Sequence, residues 1–232
     1  MKNIAFLTVI FPMKEEYLID FFNSLTNQTF NKFDLIVIND GYENFRDFKI
    51  KYEDLSIIEL PFSDTPSKNR EFGINYCIKK NYDILIFGDS DDYFTNNRIA
   101  KSIDLLTNHN IVVNDLTTFD ETGILHNNYF SNRLKNNQII DYNFIINKNI
   151  LGLSNTAINL KILDKVLINR NEVAVDWFIF KNLLKLDYKA IFTNEIITYY
   201  RQHYNNTLGL KEEGGEFLFW WEKKTNQGLL SG

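Results

Sequence analysis

The sequence predicts an α/β fold: a single domain built on a mainly parallel, doubly wound sheet with helices on both faces. Three observations carry this expectation. Short apolar runs rich in branched residues alternate with amphipathic segments. The runs are apolar at consecutive positions, as strands covered on both faces are. Two of them end in turns that carry carboxylates, where an open α/β sheet binds its ligands. A length of 232 residues suffices for one substantial core.

The elements follow in order. Asn3 to Ile10 is a near-continuous apolar run, hence a first strand, and Tyr17, Leu18, Phe21, Phe22 and Leu25 recur at helical spacing behind it. Phe33 to Ile38 is a second strand, stopped by the turn-forming Asn39-Asp40-Gly41. Ser56 to Leu60 is a third. Thr65 then reads as the N-cap of a helix with Pro66 at its first position, running to Lys80. Asp83 to Phe87 is a fourth strand, ending at Gly88-Asp89-Ser90-Asp91-Asp92. A helix from Asn97 to Leu106 and a strand from Ile111 to Asn114 complete the well-patterned half, residues 1–115. Residues 116–232 are less regular: polar around Asn127 to Asn137, then a helix over Leu160 to Leu167, a helix over Val175 to Leu186, and strands over Tyr188 to Phe192 and Ile196 to Tyr200.

Composition narrows the classes. A hydrophobic share of 44% with 24% charged residues excludes a disordered or fibrous chain. A net charge of −5 argues against nucleic-acid binding as the main task, because that needs a concentrated basic face. The single cysteine, Cys77, excludes an intramolecular disulfide framework, fits a reducing, cytoplasmic setting, and lies in an apolar helical stretch where a buried, inert thiol is expected. The opening MKNIAFLTVIF has no small-residue cleavage site and reads as a strand, not a signal peptide. No run approaches the roughly 18 apolar residues of a membrane span, so a soluble or at most peripheral protein is expected. Near the end, Phe217, Phe219, Trp220 and Trp221 precede Lys223 and Lys224; this stretch reads as a helix over the core, or as a contact with a membrane surface or a second subunit.

The sharpest chemical signal is Asp89-Ser90-Asp91-Asp92, three carboxylates in four residues directly after a strand. Their mutual repulsion calls for a hard cation. A calcium loop is excluded by its own spacing, since Phe94 stands where Gly is required and Ala100 where Glu is required. An acidic helix-capping turn is the blander reading.

In order along the chain, LTVIFP, IVINDG, NREFGI, ILIFGDSDD, AVDW and YRQHYNNTLG resemble the pieces of the inverting, A-fold glycosyltransferases of family two, from Phe6 to about Gly209. The resemblance implies a GT-A domain that moves a sugar, typically a hexose, from a nucleotide diphosphate donor to a glycan or lipid-linked acceptor, in polysaccharide biosynthesis at the inner face of a membrane. It assigns Asp40 to the base, with Phe11 and Pro12 around base and ribose; a turn former is the alternative for Asp40. It sets Arg70, or alternatively Lys68, against the diphosphate, where a planar guanidinium suits phosphate. Glu71 departs from the pattern, which has Asn there. Asp89 and Ser90 fall to the ribose region, and Asp91 with His203 to a divalent cation, Mn²⁺ or Mg²⁺, with Asp92 as support or substitute. Arg201 adds a phosphate contact.

By the same resemblance Asp176 is the base that takes the proton of the acceptor hydroxyl, which single displacement requires. An N-cap role for Asp176 is compatible with that one. Trp177 stacks on an acceptor sugar or packs in the core, and Asn155 belongs to acceptor-side sequence. Two rivals share the architecture. A sugar-nucleotide pyrophosphorylase needs a glycine-rich loop after the first strand, where Val9 to Lys14 holds no Gly. A silent carbohydrate-binding or scaffold protein would keep the fold without the chemistry.

Overall fold

The computed structural model describes residues 2–146, 148–202, 210–213 and 216–219. The first half runs β1 (Ile4–Ile10), α1 (Glu15–Thr26), β2 (Asp34–Asn39), α2 (Phe45–Lys51), β3 (Ser56–Pro61), α3 (Pro66–Lys79), β4 (Ile84–Phe87), β5 (Tyr93–Phe94) and α4 (Arg98–Leu105). The second runs β6 (Ile111–Asp120), β7 (Gly123–His126), β8 (Ile139–Ile140), α5 (Tyr142–Ile145), β9 (Thr156–Asn159), a 3₁₀ turn at Leu160–Ile162, α6 (Val175–Lys185), β10 (Ala190–Arg201), β11 (Leu210–Glu213) and β12 (Glu216–Phe219).

A ten-stranded sheet has the order β3-β2-β1-β4-β9-β6-β10-β5, with β7 beside β6 and β8 beside β10. The four strands β3-β2-β1-β4 are parallel, as their consecutive apolar runs predict. The sheet as a whole is mixed, because β9 enters between β4 and β6 antiparallel to both. The division at 115/116 falls inside β6, which joins both halves to one sheet.

Side chains alternate across the sheet, and each face has its own core. Phe6 and Ile10 of β1 pack with Leu18, Phe21 and Phe22 of α1, Phe45 and Phe48 of α2 and Ile99 of α4. Leu7 and Val9, on the other face, pack with Ile74 and Cys77 of α3 and with Ile179, Phe180 and Leu183 of α6. The aromatic richness is spent on the first of these cores, where Phe6 meets Phe21 edge-on at 5.9 Å and Phe22 stacks on Tyr52 at 4.9 Å. Cys77 is fully buried, and burial pushes its thiol up to about 12. On the α3 face, a Cβ at Gly73 would stand 2.7 Å from Leu7 Cδ1, so only glycine lets α3 lie this close to β1.

Three expectations need correction. Leu160 to Leu167 is not a helix: after one 3₁₀ turn the backbone is extended at Leu163, and burial of Val166 and Ile168 alternates with exposure of Leu167. Those apolar residues follow a period of two, and short runs do not distinguish the two periods. The two late strands are one, β10, whose pairing with β6 shifts register between Thr193 and Ile197. Glu216–Phe219 is a strand paired antiparallel with Leu210–Glu213, not part of a helix; Trp220, Trp221, Lys223 and Lys224 lie outside the described residues. Among the described residues, no helix is long and apolar enough to cross a membrane.

Candidate active site

The carboxyl ends of β1, β2 and β4 lie side by side and bring Phe11, Pro12, Asp40 and the acidic turn to one edge of the sheet. The Asp40 amide donates to Ile10 O at 2.8 Å, which fixes the second turn against the first strand. Its carboxylate accepts from Ser63 Oγ at 2.5 Å through Oδ1 and from Asn69 Nδ2 at 2.7 Å through Oδ2. Phe11 and Pro12 are exposed beside it, Phe11 by 44%. Ser63 and Asn69 escaped the sequence reading, although Asn69 opens the NREFGI segment and its burial was the missing information.

The acidic turn is held from several sides. Arg70 Nη2 meets Asp89 Oδ1 at 3.1 Å. The Ser90 hydroxyl is buried and donates to Val9 O at 2.8 Å, anchoring the turn to β1. Asp92 is fully buried; Ser154 Oγ donates to its Oδ2, and the Arg201 amide to its Oδ1 at 2.8 Å. Asp91 is half-buried, and its main-chain carbonyl accepts from Arg201 Nε at 2.8 Å. The Arg201 guanidinium also reaches Asp20 at 2.6 Å and lies between the rings of Tyr17 and Phe119. Burial raises the carboxyl of Asp89, with Asp91 adding to the shift against Arg70. Burial raises Asp92 well above the usual carboxylate range, reinforced by Asp91 and Asp89. Among the described residues, no three His, Cys, Asp or Glu side chains form a preassembled metal cage.

Beneath the turn lies Arg98, which the sequence reading passed over. It is 1% exposed and donates to Phe87 O at 2.5 Å, Ser154 O at 2.6 Å and Thr198 Oγ1 at 2.7 Å, with Phe94 4.3 Å across its plane. Burial pulls it down to about 9, with Asp92 and Asp89 opposing, so it stays cationic at neutral pH. It ties the end of β4, the loop before β9 and β10 into one floor. The only signal in the sequence is its place among buried positions of an amphipathic helix, alongside Ile99 and Ser102.

Asp176 is the second residue of α6, whose N-cap position is Ala174 and not Asp176, and its Oδ1 accepts from the adjacent Trp177 amide at 2.7 Å. Burial raises it to about 6, against the Trp177 amide and the Asn149 side chain, with Asp89 adding a further upward push. Asp176 Oδ2 lies 3.8 Å from where a Cβ on Gly152 would stand, in the loop whose Ser154 donates to Asp92, which sets Asp176 close to the acidic turn. Tyr200, which opens the YRQH segment and was given no role of its own, precedes Arg201, whose amide binds Asp92; burial raises its phenol, and Asp92, Asp89, Asp91 and Asp176 add to the shift. Asn155 is 2% exposed, and its amide binds Asn114 O, Ile150 O and the Gly152 amide, so it shapes the loop. Trp177 donates to Ile145 O at 3.2 Å, with Lys181 over its ring. Lys68 is paired with Glu71 at 2.7 Å. His203 lies outside the described residues.

This is an open α/β domain with carboxylates gathered at the carboxyl ends of its parallel strands, where such folds bind their ligands. The family model for glycosyl transferase family 2 matches residues 8–167, and the chain belongs to that family. An uncharacterised glycosyltransferase from Haemophilus influenzae is 26% identical over 144 residues, 59% of this chain and 52% of that protein. The chain thus spans about half the length of that curated relative. S. aureus TarS, solved as residues 1–349 with UDP-GlcNAc, superposes with a TM-score of 0.69 at 15% identity over 88% of this chain and 60% of that one. The mannosyltransferase PcManGT from Pyrobaculum calidifontis, solved with GDP-Man and Mn²⁺, has a TM-score of 0.64 at 10% identity over 88% and 58%. These two likenesses show a shared A-type fold.

Proposed function

We propose that the chain transfers a sugar, with inversion, from a nucleotide diphosphate donor to a hydroxyl of a glycan or lipid-linked acceptor. The observation that carries this reading is the placing of Asp40 and of Asp89, Asp91 and Asp92 in adjoining turns at the carboxyl ends of β2 and β4, where an open α/β sheet binds its ligands. Family membership and the donors named for the solved neighbours support the donor class.

Asp40, Phe11 and Pro12 take the base and ribose, with Asp89 and Ser90 at the ribose edge. Arg70 turns from Asp89 to the diphosphate; Lys68, engaged by Glu71, is the less available cation. The residues fit a divalent ion, because half-buried Asp91 beside Asp89 offers hard oxygens and carries repulsion that a cation relieves. Mg²⁺ and its like are commonly held by one or two carboxylates completed by substrate phosphates. Asp91, with His203, would hold Mn²⁺ or Mg²⁺, and that ion supplies neutralisation of the leaving diphosphate. Asp176, raised to about 6 yet ionised at neutral pH, accepts the proton of the attacking hydroxyl.

The test is thermal unfolding against a panel of nucleoside diphosphates and their sugars, with and without Mn²⁺ or Mg²⁺. A ligand at about 100 times its Kd adds roughly 2.7 kcal/mol, a shift of several degrees at this size. A shift for one base that requires the metal identifies the donor; no shift with any nucleotide overturns the reading.

A further inference from the structure

Ser67, Glu71 and Asn75 stand four apart on α3 and therefore share one helix face. Each binds the backbone of the segment 166–170, which enters a turn at Arg170. Asn75 donates to Val166 O at 2.8 Å and accepts from the Val166 amide at 2.9 Å. Glu71 Oε2 accepts from the Ile168 amide at 2.6 Å, and Ser67 Oγ donates to Arg170 O at 2.9 Å. Arg170 closes the contact through a forked pair with Asp64, at 2.5 and 2.9 Å.

The partners are every second residue, the period of a strand. Val166 and Ile168 turn their side chains into the core, while Leu167 is 66% exposed. The helix face thus satisfies backbone groups that a neighbouring strand would otherwise pair. From Arg170 the chain runs six residues to Asp176. The same helix also grips the donor side, through Asn69 on Asp40 and Arg70 on Asp89. Glu71, the departure from the family pattern, faces this strap and not the diphosphate.

We propose that the Ser67, Glu71 and Asn75 face of α3 is a positioning device: it docks the 166–170 strap and so sets Asp176 against the donor-side carboxylates. The role given to Asp176 rests on the function proposed above; the docking does not.

Amide hydrogen exchange on the full chain tests it without substrate. In Glu71→Ala, exchange at Ile168 and at Trp177, whose amide is bonded to Asp176, should rise at least tenfold, with the Asp40 amide unchanged. Glu71→Gln, which keeps an acceptor for Ile168, should stay within threefold of wild type. A faster Ile168 with an unmoved Trp177 overturns the proposal, as does an unmoved Ile168. Should Glu71→Ala loosen the whole fold, Ser67→Ala gives the same reading through Trp177. Nucleotide release from the donor found by thermal shift separates the two claims. Glu71→Ala should lower kcat at least tenfold with donor KM within twofold. If Asp176→Asn is inactive while Glu71→Ala keeps full kcat, the positioning role fails alone; if Asp176→Asn keeps full kcat, the base reading fails.

Discussion

Asp40 and Asp176 are the same side chain at the two ends of one site, and the fold treats them differently. Asp40 belongs to the parallel half, where both its oxygens accept from short, fixed donors, Ser63 and Asn69. Around it the other donor-side carboxylates are tied as well, Asp89 to Arg70 and Asp92 to Ser154 and the Arg201 amide. Asp176 belongs to the mixed half, at a helix start, where burial outweighs its two hydrogen bonds and leaves it at about 6. The difference teaches that hydrogen bonding and desolvation act separately. The parallel half ties its carboxylates to fixed donors even where burial raises them, as at Asp89 and Asp92, whereas Asp176 is raised by burial with only the Trp177 amide and the Asn149 side chain against it.

The largest expected effect strikes that difference directly. Asp176→Asn should cut acceptor-dependent nucleotide release by about 10²–10⁴, read by initial rates, since a general base contributes on that order. It should also stabilise the fold. Asp176 has a folded pKa raised above its unfolded value, so its contribution is fully present below about pH 4 and is lost as pH rises through about 6. At pH 7 the neutral Asn removes a cost of about 2 kcal/mol, after allowance for partial exposure, visible as a higher Tm. The wild-type rate should correspondingly rise with pH through about 6, and a flat profile between pH 5 and 7 would break the contrast.

Next comes the shared floor. Arg98→Ala strands acceptors at Phe87, Ser154 and Thr198 and should cost about 3–5 kcal/mol in chemical denaturation. Smaller, and confined to the parallel half, Gly73→Ala drives a Cβ against Leu7 and should cost about 1–3 kcal/mol. Smallest is Lys49→Ala, which breaks an exposed pair with Glu59 and should move stability by less than about 1 kcal/mol. A larger loss there would show that the edge of the sheet matters more than its exposure implies.

The strands β1, β2 and β4 were legible because each is buried on both faces, so apolar residues run consecutively, and because Gly, Pro and Asn-Asp-Gly mark their ends. β3, only partly buried at the edge of the sheet, was legible by its branched residues before Pro61. Asp40 and the acidic turn were legible as carboxylates at such ends, and Asp176 only through the resemblance of AVDW before a helix. The segment after Leu160 was not, because Val166 and Ile168 are held by side chains of a helix about ninety positions earlier. Local periodicity carries no trace of that partner. β9 was missed for a related reason: four residues between two strands of opposite direction leave almost no pattern of their own.

What the sequence determined by itself is the α/β class, the order of the parallel strands' elements and the carboxylates at their ends, since period and turn chemistry are local properties. What only the tertiary structure decided is how those carboxylates are used. Ser90 anchors a turn, Asp92 is buried under Ser154, Arg98 supports the floor and Asp176 is left at about 6. Hydrogen bonding and desolvation depend on neighbours brought together from distant positions, and no window along the chain contains them.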